Sequence, residues 1–426
     1  MKKILLPLAI AFSLSGSAQQ PLIPVSEAMR IETYLASDEL AGRRPGTPGS
    51  EKAAAFIAEE MRKAGLQPLP GASGFLQEFS VLRPKMTSLK VEMDGAEADP
   101  KKVIVITTKK DLKVNEKSGF TVKRIGAADA ADQRAFFRAA QKALAGTGGT
   151  IVLVDTSFAA SFSRLPGLKR SLFSSAQDVV FLLGSTLPSA YTIKAEHTFT
   201  EEKMMNVVGT LPGKGAAAGQ QVIFSGHYDH LGIGKPVNGD SIYNGANDDA
   251  SGITSMLLLA QHYAKEKNNA RTLLFAAFTA EESGGFGATY FSQQLRPDSV
   301  VAMFNIEMVG TESKWGKNSA YITGFEKSSM GAILQEALKG SDFNFYPDPY
   351  PQQQLFYRSD NATLARLGVP AHTLSTSKMD VEPHYHKPSD EVGTLDMSNL
   401  AQVTEAIAKS AATIISGKAT PTRVTE

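Results

Sequence analysis

Apolar and polar positions follow two different periods along this chain of 426 residues. From about residue 206 onward, continuous apolar runs such as VIFSG, LLFAAF and VAMFN alternate with stretches whose apolar residues lie three or four positions apart. Continuous runs are typical of strands buried on both faces, and the wider spacing is typical of amphipathic helices. The pattern therefore predicts an α/β fold with a mostly parallel sheet and helices on both faces.

The same helical spacing appears near the start, in PVSEAMRIETYLAS and GSEKAAAFIAEEMRKAGL, with Ser50 as the expected N-cap and Gly65 as the expected end of the second helix. In the middle of the chain the pattern of apolar and polar residues changes. This part has short apolar runs, one helical segment and loops rich in Ser, Gly and Lys. This change predicts a separate domain inserted into the α/β domain. The predicted divisions are 19–80 and 203–418 for the α/β domain, 81–202 for the inserted domain and 419–426 for a polar, frayed tail.

Residues 1–18 have the pattern of an export signal. Lys2 and Lys3 precede an apolar run at 4–14, and small residues at Gly16 and Ala18 are spaced like a cleavage site. A short N-terminal core helix is the alternative, which Pro7 disfavours. We therefore predict a signal peptide cut after Ala18, and a protein that is periplasmic or secreted. Since no later apolar run is long enough to span a bilayer, we expect no membrane association.

Composition narrows the classes of partner and of chemistry. Lys and Arg number 44 against 43 Asp and Glu, so no broad field favours nucleic acid or anionic lipid. The chain has no cysteine and only seven histidines. It therefore has no disulfides, and any metal site must use His, Asp and Glu.

Acids and histidines cluster where predicted strands end. Ligands bind beyond the carboxyl ends of the strands in an open α/β sheet, so these positions meet at one edge. Each one alone has an ordinary explanation as a surface pair, a turn or a packed histidine. Together they predict a metal site, and the residues concerned are His227 and Asp229 after VIFSG, Asp248 and Asp249 in GANDDASG, Glu281 and Glu282 after LLFAAFTA, Glu307 after VVAMFN, and His384, His386 and Asp390 in EPHYHKPSDE.

This set of residue types suits zinc. Zinc binds His nitrogen and carboxylate oxygen, and catalytic zinc keeps one position open for water. A pair of zinc ions needs one bridging acid, two terminal acids and two histidines, with a free carboxylate as base. The residues at the strand ends supply that whole set.

The motifs GHYDHLG, GANDDASG, TAEESG, NIEMVG, RSDNATLARLGVPA and YHKPSDE, together with LAGRRPGTPGSEKAAAFIAEEMRKAGL, resemble the co-catalytic di-zinc aminopeptidase family in the family's order. That family includes bacterial leucyl-type aminopeptidases, glutamate carboxypeptidase and the non-catalytic transferrin receptor. The resemblance implies a zinc exopeptidase fold that wraps around the inserted segment. It also implies two zinc ions per chain and a protease-associated domain as the counterpart of the insertion.

The resemblance implies a role for each matching residue. His227 and Glu307 correspond to ligands of one zinc, Glu282 and His386 to ligands of the other, and Asp248 to the bridge between them. The remaining correspondences are Glu281 as general base, Asp229 as the acid that orients His227, Tyr385 as the hydroxyl that stabilises the oxyanion, and Arg358, Ser359 and Asp360 as residues at the substrate end of the site.

One residue departs from the family pattern, and one histidine of a matching motif has no ligand role assigned. Relatives usually have aspartate where this chain has Glu307, so the carboxylate lies one methylene further from the backbone. His230 follows three residues after His227, and we interpret it as a supporting residue or pocket wall rather than a ligand.

The favoured function is an exported aminopeptidase that acts on peptides. A carboxypeptidase or dipeptidase of the same fold is the alternative within the same class of enzyme. A receptor-like homologue without activity is disfavoured because the ligands and Glu281 are all present, and a one-zinc glutaminyl cyclase is disfavoured because the two-metal set is complete. The sequence leaves the oligomeric state open.

Overall fold

A computed structural model describes residues 22–144, 148–169, 172–174 and 177–425. These residues form two compact units, one comprising the described chain up to Leu76 and from Asn206 onward, the other Gln77–Met205. The predicted insertion at 81–202 lies just inside the second unit. The predicted signal peptide, 1–18, lies outside the described residues.

The sheet of the first unit has a parallel centre. Its four central strands run in the same direction, and each flanking strand lies antiparallel to its central neighbour. The prediction of a mostly parallel α/β sheet is confirmed. In spatial order the strands are Asn344–Pro347, Ser319–Ile322, Ala371–Ser375, Val300–Ile306, Gln221–His227, Thr272–Phe278 and the end of Tyr191–Leu211.

Helices cover both faces of this sheet. Ile223 and Phe224 are successive residues of a central strand, so their side chains point to opposite faces. Ile223 packs in one core cluster with Phe291, whereas Phe224 stacks on Tyr263 with ring centroids 5.5 Å apart. Within the described residues, no helix has the length and apolar character needed to cross a bilayer. The helices of the unit are Val25–Leu35, Pro48–Lys63, Ser251–Glu266, Phe286–Gln293, Met330–Ala337, Ala362–Ala365 and Met397–Ile415.

The second helix begins earlier than expected. Pro48 is its first residue, and the Thr47 side chain accepts a hydrogen bond from the Ser50 amide, so Thr47 rather than Ser50 is the N-cap. Proline suits the first helical position because its fixed φ is already helical and its missing N–H is not needed there. The helix ends at Lys63, and Gly65 follows with a φ of 82°.

The expectation of a frayed tail is wrong for the described residues up to 425. The Val424 amide donates to the Gly368 carbonyl at 3.0 Å. The Thr422 amide donates to the Ser329 hydroxyl at 2.9 Å. The Arg271 guanidinium donates to the Ala419 carbonyl at 2.6 Å. These hydrogen bonds, together with the packing of Val424 against the core, hold the tail in place.

The second unit has a sheet and core of its own. Phe136 on its long helix and Phe181 on a central strand are fully buried in one apolar cluster. The unit boundaries fall within the strands Leu76–Met93 and Tyr191–Leu211. Its other elements are the strands Ala96–Glu97, Val103–Ile106, Asp111–Asn115, Thr121–Ile125, Gly149–Val154 and Asp178–Leu183, with helices Gln133–Leu144 and Ala159–Phe162.

Candidate metal centre

Three predicted site segments start where neighbouring parallel strands end. The strand Gln221–His227 ends on His227, which lies beside Phe278 at the end of the next strand. Glu281 and Glu282 follow that second strand, and Glu307 follows Val300–Ile306 on the other side. The parallel register therefore brings these side chains to one edge of the sheet.

Asp248 enters the site from a tight turn that precedes the helix Ser251–Glu266. The Asp390 carboxylate accepts from the backbone amides of Asn247, at 2.8 Å, and Asp248, at 3.1 Å. The Asn247 side-chain oxygen in turn accepts from the Gly310 amide at 2.9 Å. Asp390 thus fixes the backbone of the predicted bridging residue.

The neighbouring acid, Asp249, holds three segments together instead of facing the cleft. Its buried carboxylate accepts from the amides of His227 at 3.2 Å, Gly252 at 3.1 Å and Met308 at 3.0 Å. A Cβ on Gly252 would lie 2.5 Å from that carboxylate, so the close approach requires glycine. The family resemblance singled out Asp248 as the bridge, but the pattern of residues alone did not separate it from this structural acid.

A buried arginine from the N-terminal segment also organises the site, and sequence reasoning missed it. The Arg43 guanidinium donates to the carbonyls of Tyr228 at 2.7 Å, Asn244 at 2.6 Å and Gly245 at 2.8 Å, and to that of Leu35. It therefore joins the backbone after the first predicted ligand to the backbone before the bridging acid. The only signal was its place in the LAGRRPG motif.

The first group of potential ligands consists of His227, Asp248 and Glu307, whose ligand atoms lie within 4.8 Å of one another. His227 Nε2 is 3.2 Å from Asp248 Oδ1. Its other nitrogen, Nδ1, is 3.1 Å from the Asp229 carbonyl oxygen and 3.8 Å from the Asp229 carboxylate. The expected orienting residue is therefore in place, but its backbone oxygen lies nearer, while its carboxylate accepts from the Glu281 amide at 3.1 Å.

The second group contains His230, Asp248 and Glu282, again within 4.8 Å. His386 joins this group, because its Nε2 is 3.2 Å from Glu282 Oε1 and 3.3 Å from Asp248 Oδ2. His230 Nδ1 is 3.0 Å from Glu282 Oε1. By contrast, the Nδ1 of His384 is 3.0 Å from the Ser389 hydroxyl.

The donor atoms of both groups fit metal ions. Because Asp248 turns one oxygen toward His227 and the other toward His386, it stands between two positions. Ligand atoms about 2.0 Å from a tetrahedral zinc lie roughly 3.3 Å apart, which matches the distances above. A buried polar atom left unpaired costs about 1–3 kcal/mol, and five such atoms converge here without a hydrogen-bond partner among the described residues: His227 Nε2, His230 Nδ1, Glu282 Oε1, Glu307 Oε2 and His386 Nε2.

A cleft of about 520 Å³ opens over this centre. Its acidic end is lined by the carboxylates of Asp248, Glu281, Glu282 and Glu307. Tyr385 lines it as well, with its ring stacked on His386 at a centroid distance of 3.9 Å. The apolar lining residues include Met308, Leu355 and Met379, and Tyr321 lines the cleft as well.

The family model of the peptidase family M28 matches residues 206–411, which contain all the potential ligands. This match with peptidase family M28 extends over just under half of the chain. The predicted resemblance to zinc aminopeptidases is thereby confirmed. Glu307, at the position where the family resemblance leads us to expect aspartate, lies within this segment.

Similar proteins agree with the M28 assignment. The chain is 34% identical over 113 residues to a probable zinc metalloprotease of Pyricularia oryzae, a match that covers 26% of this chain and 22% of that protein. It is 25% identical over 211 residues to the aminopeptidase YwaD of Bacillus subtilis, covering 48% of this chain and 43% of that one. The matched segments thus span about a fifth of the length of the first fungal relatives.

Solved structures share the fold of the M28 segment and its surroundings. The chain superimposes on a zinc aminopeptidase from Bacillus subtilis with a TM-score of 0.56 at 18% identity, over 95% of this chain and 98% of that one. An aminopeptidase from an Aneurinibacillus strain gives a TM-score of 0.53 at 20% identity, with 95% of both chains covered. The prediction of a zinc exopeptidase fold is confirmed by these neighbours.

Two adjacent acids of the M28 site have opposite electrostatic environments. Burial raises the pKa of Glu281 well above its ordinary value, and the carboxylates of Glu307 and Asp360 raise it further against the effect of His227. Burial also acts to raise the pKa of Glu282, but the imidazoles of His230 and His386 outweigh it and lower that pKa. Neighbouring acids whose pKa values are pushed apart are typical of a base beside a ligand.

The predicted substrate-binding residues lie in different places. Arg358 is exposed and lines the cleft, whereas Asp360 is 2% exposed and is not among the residues that line it. Burial raises the pKa of Asp360 to about 8, and its two carboxylate oxygens have no hydrogen-bond partner among the described residues. Ser359 lies between these two residues in the sequence. It is hydrogen-bonded to Glu307, and its hydroxyl oxygen accepts from the side-chain nitrogen of Asn305 at 2.7 Å. Ser359 therefore positions the Glu307 carboxylate.

Proposed function

We propose that this chain is a zinc-dependent exopeptidase with two zinc ions, and that it removes N-terminal residues from peptides. One observation carries the proposal: unpaired ligand atoms of five side chains converge around Asp248, and Glu281 lies beside them in the same cleft. Such a site combines two metal positions with a carboxylate that is free to act as a base. The M28 match supports the same chemistry.

Zinc bound at these positions polarises the carbonyl of the peptide bond and lowers the pKa of a water. Glu281 faces the cleft beside both groups of ligands, so its carboxylate is placed to take a proton from the attacking water. The same carboxyl group then gives that proton to the leaving amine. The raised pKa of Glu281 favours the first step, because a more basic carboxylate takes a proton from water more readily.

Tyr385 is the candidate for stabilising the oxyanion. Burial raises its pKa above the ordinary value, and the nearby carboxylates act in the same direction, so the hydroxyl stays protonated at neutral pH. A protonated hydroxyl donates a hydrogen bond to the charge that develops on the carbonyl oxygen. Stacking on His386 fixes the ring at the edge of the metal centre.

The aminopeptidases among the similar proteins favour an amino terminus over a carboxyl terminus as the end that is cleaved. Four carboxylates line the inner end of the cleft, namely those of Asp248, Glu281, Glu282 and Glu307, while Arg358 is the cation among the lining residues. Two zinc ions would offset the charge of these four carboxylates, so the charge of the loaded cleft does not select between the two ends of a peptide. The lining residues Tyr321, Leu355 and Met379 would accept the side chain of the first residue.

Peptides of one sequence with free ends, a blocked N-terminus or a blocked C-terminus test this proposal. We expect the zinc-loaded protein to release the first residue from the free and C-blocked peptides and to leave the N-blocked peptide intact. Cleavage that requires a free C-terminus would instead show a carboxypeptidase. Activity on dipeptides alone would show a dipeptidase.

We also propose that the protein is exported, and this part rests on the charged, apolar and small-residue pattern of 1–18. The native chain should be found outside the cytoplasm with its N-terminus at residue 19. Fractionation of cells that express the full chain, followed by N-terminal sequencing, measures both. An intact Met1 on a cytoplasmic protein would contradict export.

A further inference from the structure

We propose that His230 is a fourth protein ligand of one metal position, so that the two positions differ in kind. His230, His386, Asp248 and Glu282 would close one position, while His227, Asp248 and Glu307 would leave the other open. This inference rests on the zinc dependence proposed above, but it concerns metal binding rather than peptide cleavage.

The distances around His230 are those of a ligand. Its Nδ1 is 3.0 Å from Glu282 Oε1 and 4.0 Å from Asp248 Oδ2. His386 Nε2, a predicted ligand, is 3.2 Å and 3.3 Å from the same two atoms. Both nitrogens thus face the same pair of oxygens, at separations that bracket the roughly 3.3 Å expected between ligands of a tetrahedral zinc.

The His230 ring is aimed at this point. Its Nδ1 pairs with Glu282 Oε1 at 3.0 Å, and neither ring nitrogen has a hydrogen bond of good geometry among the described residues. The residue is 1% exposed, so bulk solvent does not reach the ring. A buried imidazole in this state is costly unless a further atom binds it.

The surrounding backbone makes room for this orientation. A Cβ on Gly245 would lie 2.4 Å from the Cγ of His230, so glycine allows the ring to pack directly against the turn that carries Asp248. On its other side His230 meets His386 edge-on, with ring centroids 5.7 Å apart. The two imidazoles therefore converge on the shared oxygens from different directions.

The proposed ligand sets give the two metal positions different functions. Two imidazoles and two carboxylates would complete a tetrahedron, which is the closed arrangement of metal sites that are retained rather than reactive. The position of His227, Asp248 and Glu307 would have three protein ligands, and Asp248 and Glu307 line the cleft together with Glu281. We therefore assign substrate binding to the three-ligand position and tight metal retention to the four-ligand position.

Metal binding by His230→Ala tests the inference, with His384→Ala as the matched control because that histidine faces Ser389. Zinc affinities of the metal-free proteins would be measured by competition with a chromophoric chelator. A residue that merely supports a ligand changes metal affinity by about 10–100-fold. We expect His230→Ala to weaken the tighter of the two zinc sites by more than about 100-fold, and His384→Ala to leave both sites unchanged.

X-ray absorption spectroscopy of the zinc-loaded wild-type protein counts the imidazole ligands directly. This second measurement does not depend on the folding of a variant. We expect three imidazoles shared by two zinc ions. Two imidazoles per pair, or a loss of about 100-fold or less in both affinities of a folded His230→Ala protein, would overturn the inference. If the imidazole count and the affinity loss were found in a protein that cleaves no peptide, the proposed function would fail and this inference would stand.

Discussion

Glu281→Gln should slow peptide hydrolysis and leave the metal centre intact. The substitution keeps the size of a side chain that lines the cleft, and it leaves the Glu281 amide free to donate to Asp229 Oδ1 as before. What it removes is the carboxylate that accepts and returns a proton. The adjacent substitution Glu282→Gln differs, because Glu282 Oε1 lies 3.0 Å from His230 Nδ1 and 3.2 Å from His386 Nε2.

The size of the two effects follows from these positions. A positioned general base contributes about 10²–10⁴-fold to rate, which corresponds to about 3–5 kcal/mol of transition-state stabilisation. Glu281→Gln should lower kcat by that factor with little change in zinc content. Glu282→Gln removes a charged ligand from a shared site, so zinc content should fall together with turnover.

The assay pairs metal analysis with kinetics on the same purified samples. Each variant is dialysed against buffered zinc, its zinc content per chain is measured, and release of the first residue from a peptide is followed. If Glu281→Gln lost a zinc while Glu282→Gln kept both and only slowed, the two roles would be reversed. If Glu281→Gln retained wild-type kcat, the base would have to be another group.

Three further outcomes are expected. His386→Ala should lose about one equivalent of zinc by metal analysis, whereas His384→Ala should keep both; equal losses would contradict the choice of ligand. Glu307→Asp should keep both zinc ions but change the ranking of kcat/KM among peptides, because the shorter arm moves a carboxylate that lines the cleft; an unchanged ranking would refute this. Burial raises the pKa of Glu32 to about 8 from 4.5, so its protonated form stabilises the fold fully below pH 4.5 and that contribution is lost as the pH rises to 8. The stability of the wild type relative to Glu32→Gln should therefore fall by about 5 kcal/mol between pH 4.5 and pH 8 in denaturant unfolding, and a flat difference would contradict the burial argument.

The periodic parts of the fold were predictable because a single strand or helix carries its own signal. The run VIFSG became a strand that ends on His227, and the neighbouring runs placed Glu281 and Glu307 at the same sheet edge. The resemblance to the family then indicated which of these residues would bind the same zinc ion. Strand-end position alone could not have separated Asp248 from Asp249, since both are buried and one residue apart.

Contacts between distant segments were not predictable from the pattern. Arg43 binds carbonyl groups that lie about 200 residues further along the chain, and a carbonyl has no side-chain signature. The place of His230 depends on a turn after the strand, so its spacing from His227 did not show that it would face Glu282. The tail beyond Lys418 is polar, and its hydrogen bonds to Gly368 and Ser329 are visible only in three dimensions.

Zinc titration of the metal-free protein tests the central claim most directly. Zinc binding and release of the first residue from a peptide with a free N-terminus would be followed in the same samples. The account predicts two bound zinc ions per chain and little turnover until the second, three-ligand position fills. Full turnover in a verified metal-free sample, or saturation with zinc without any peptide cleavage, would contradict it.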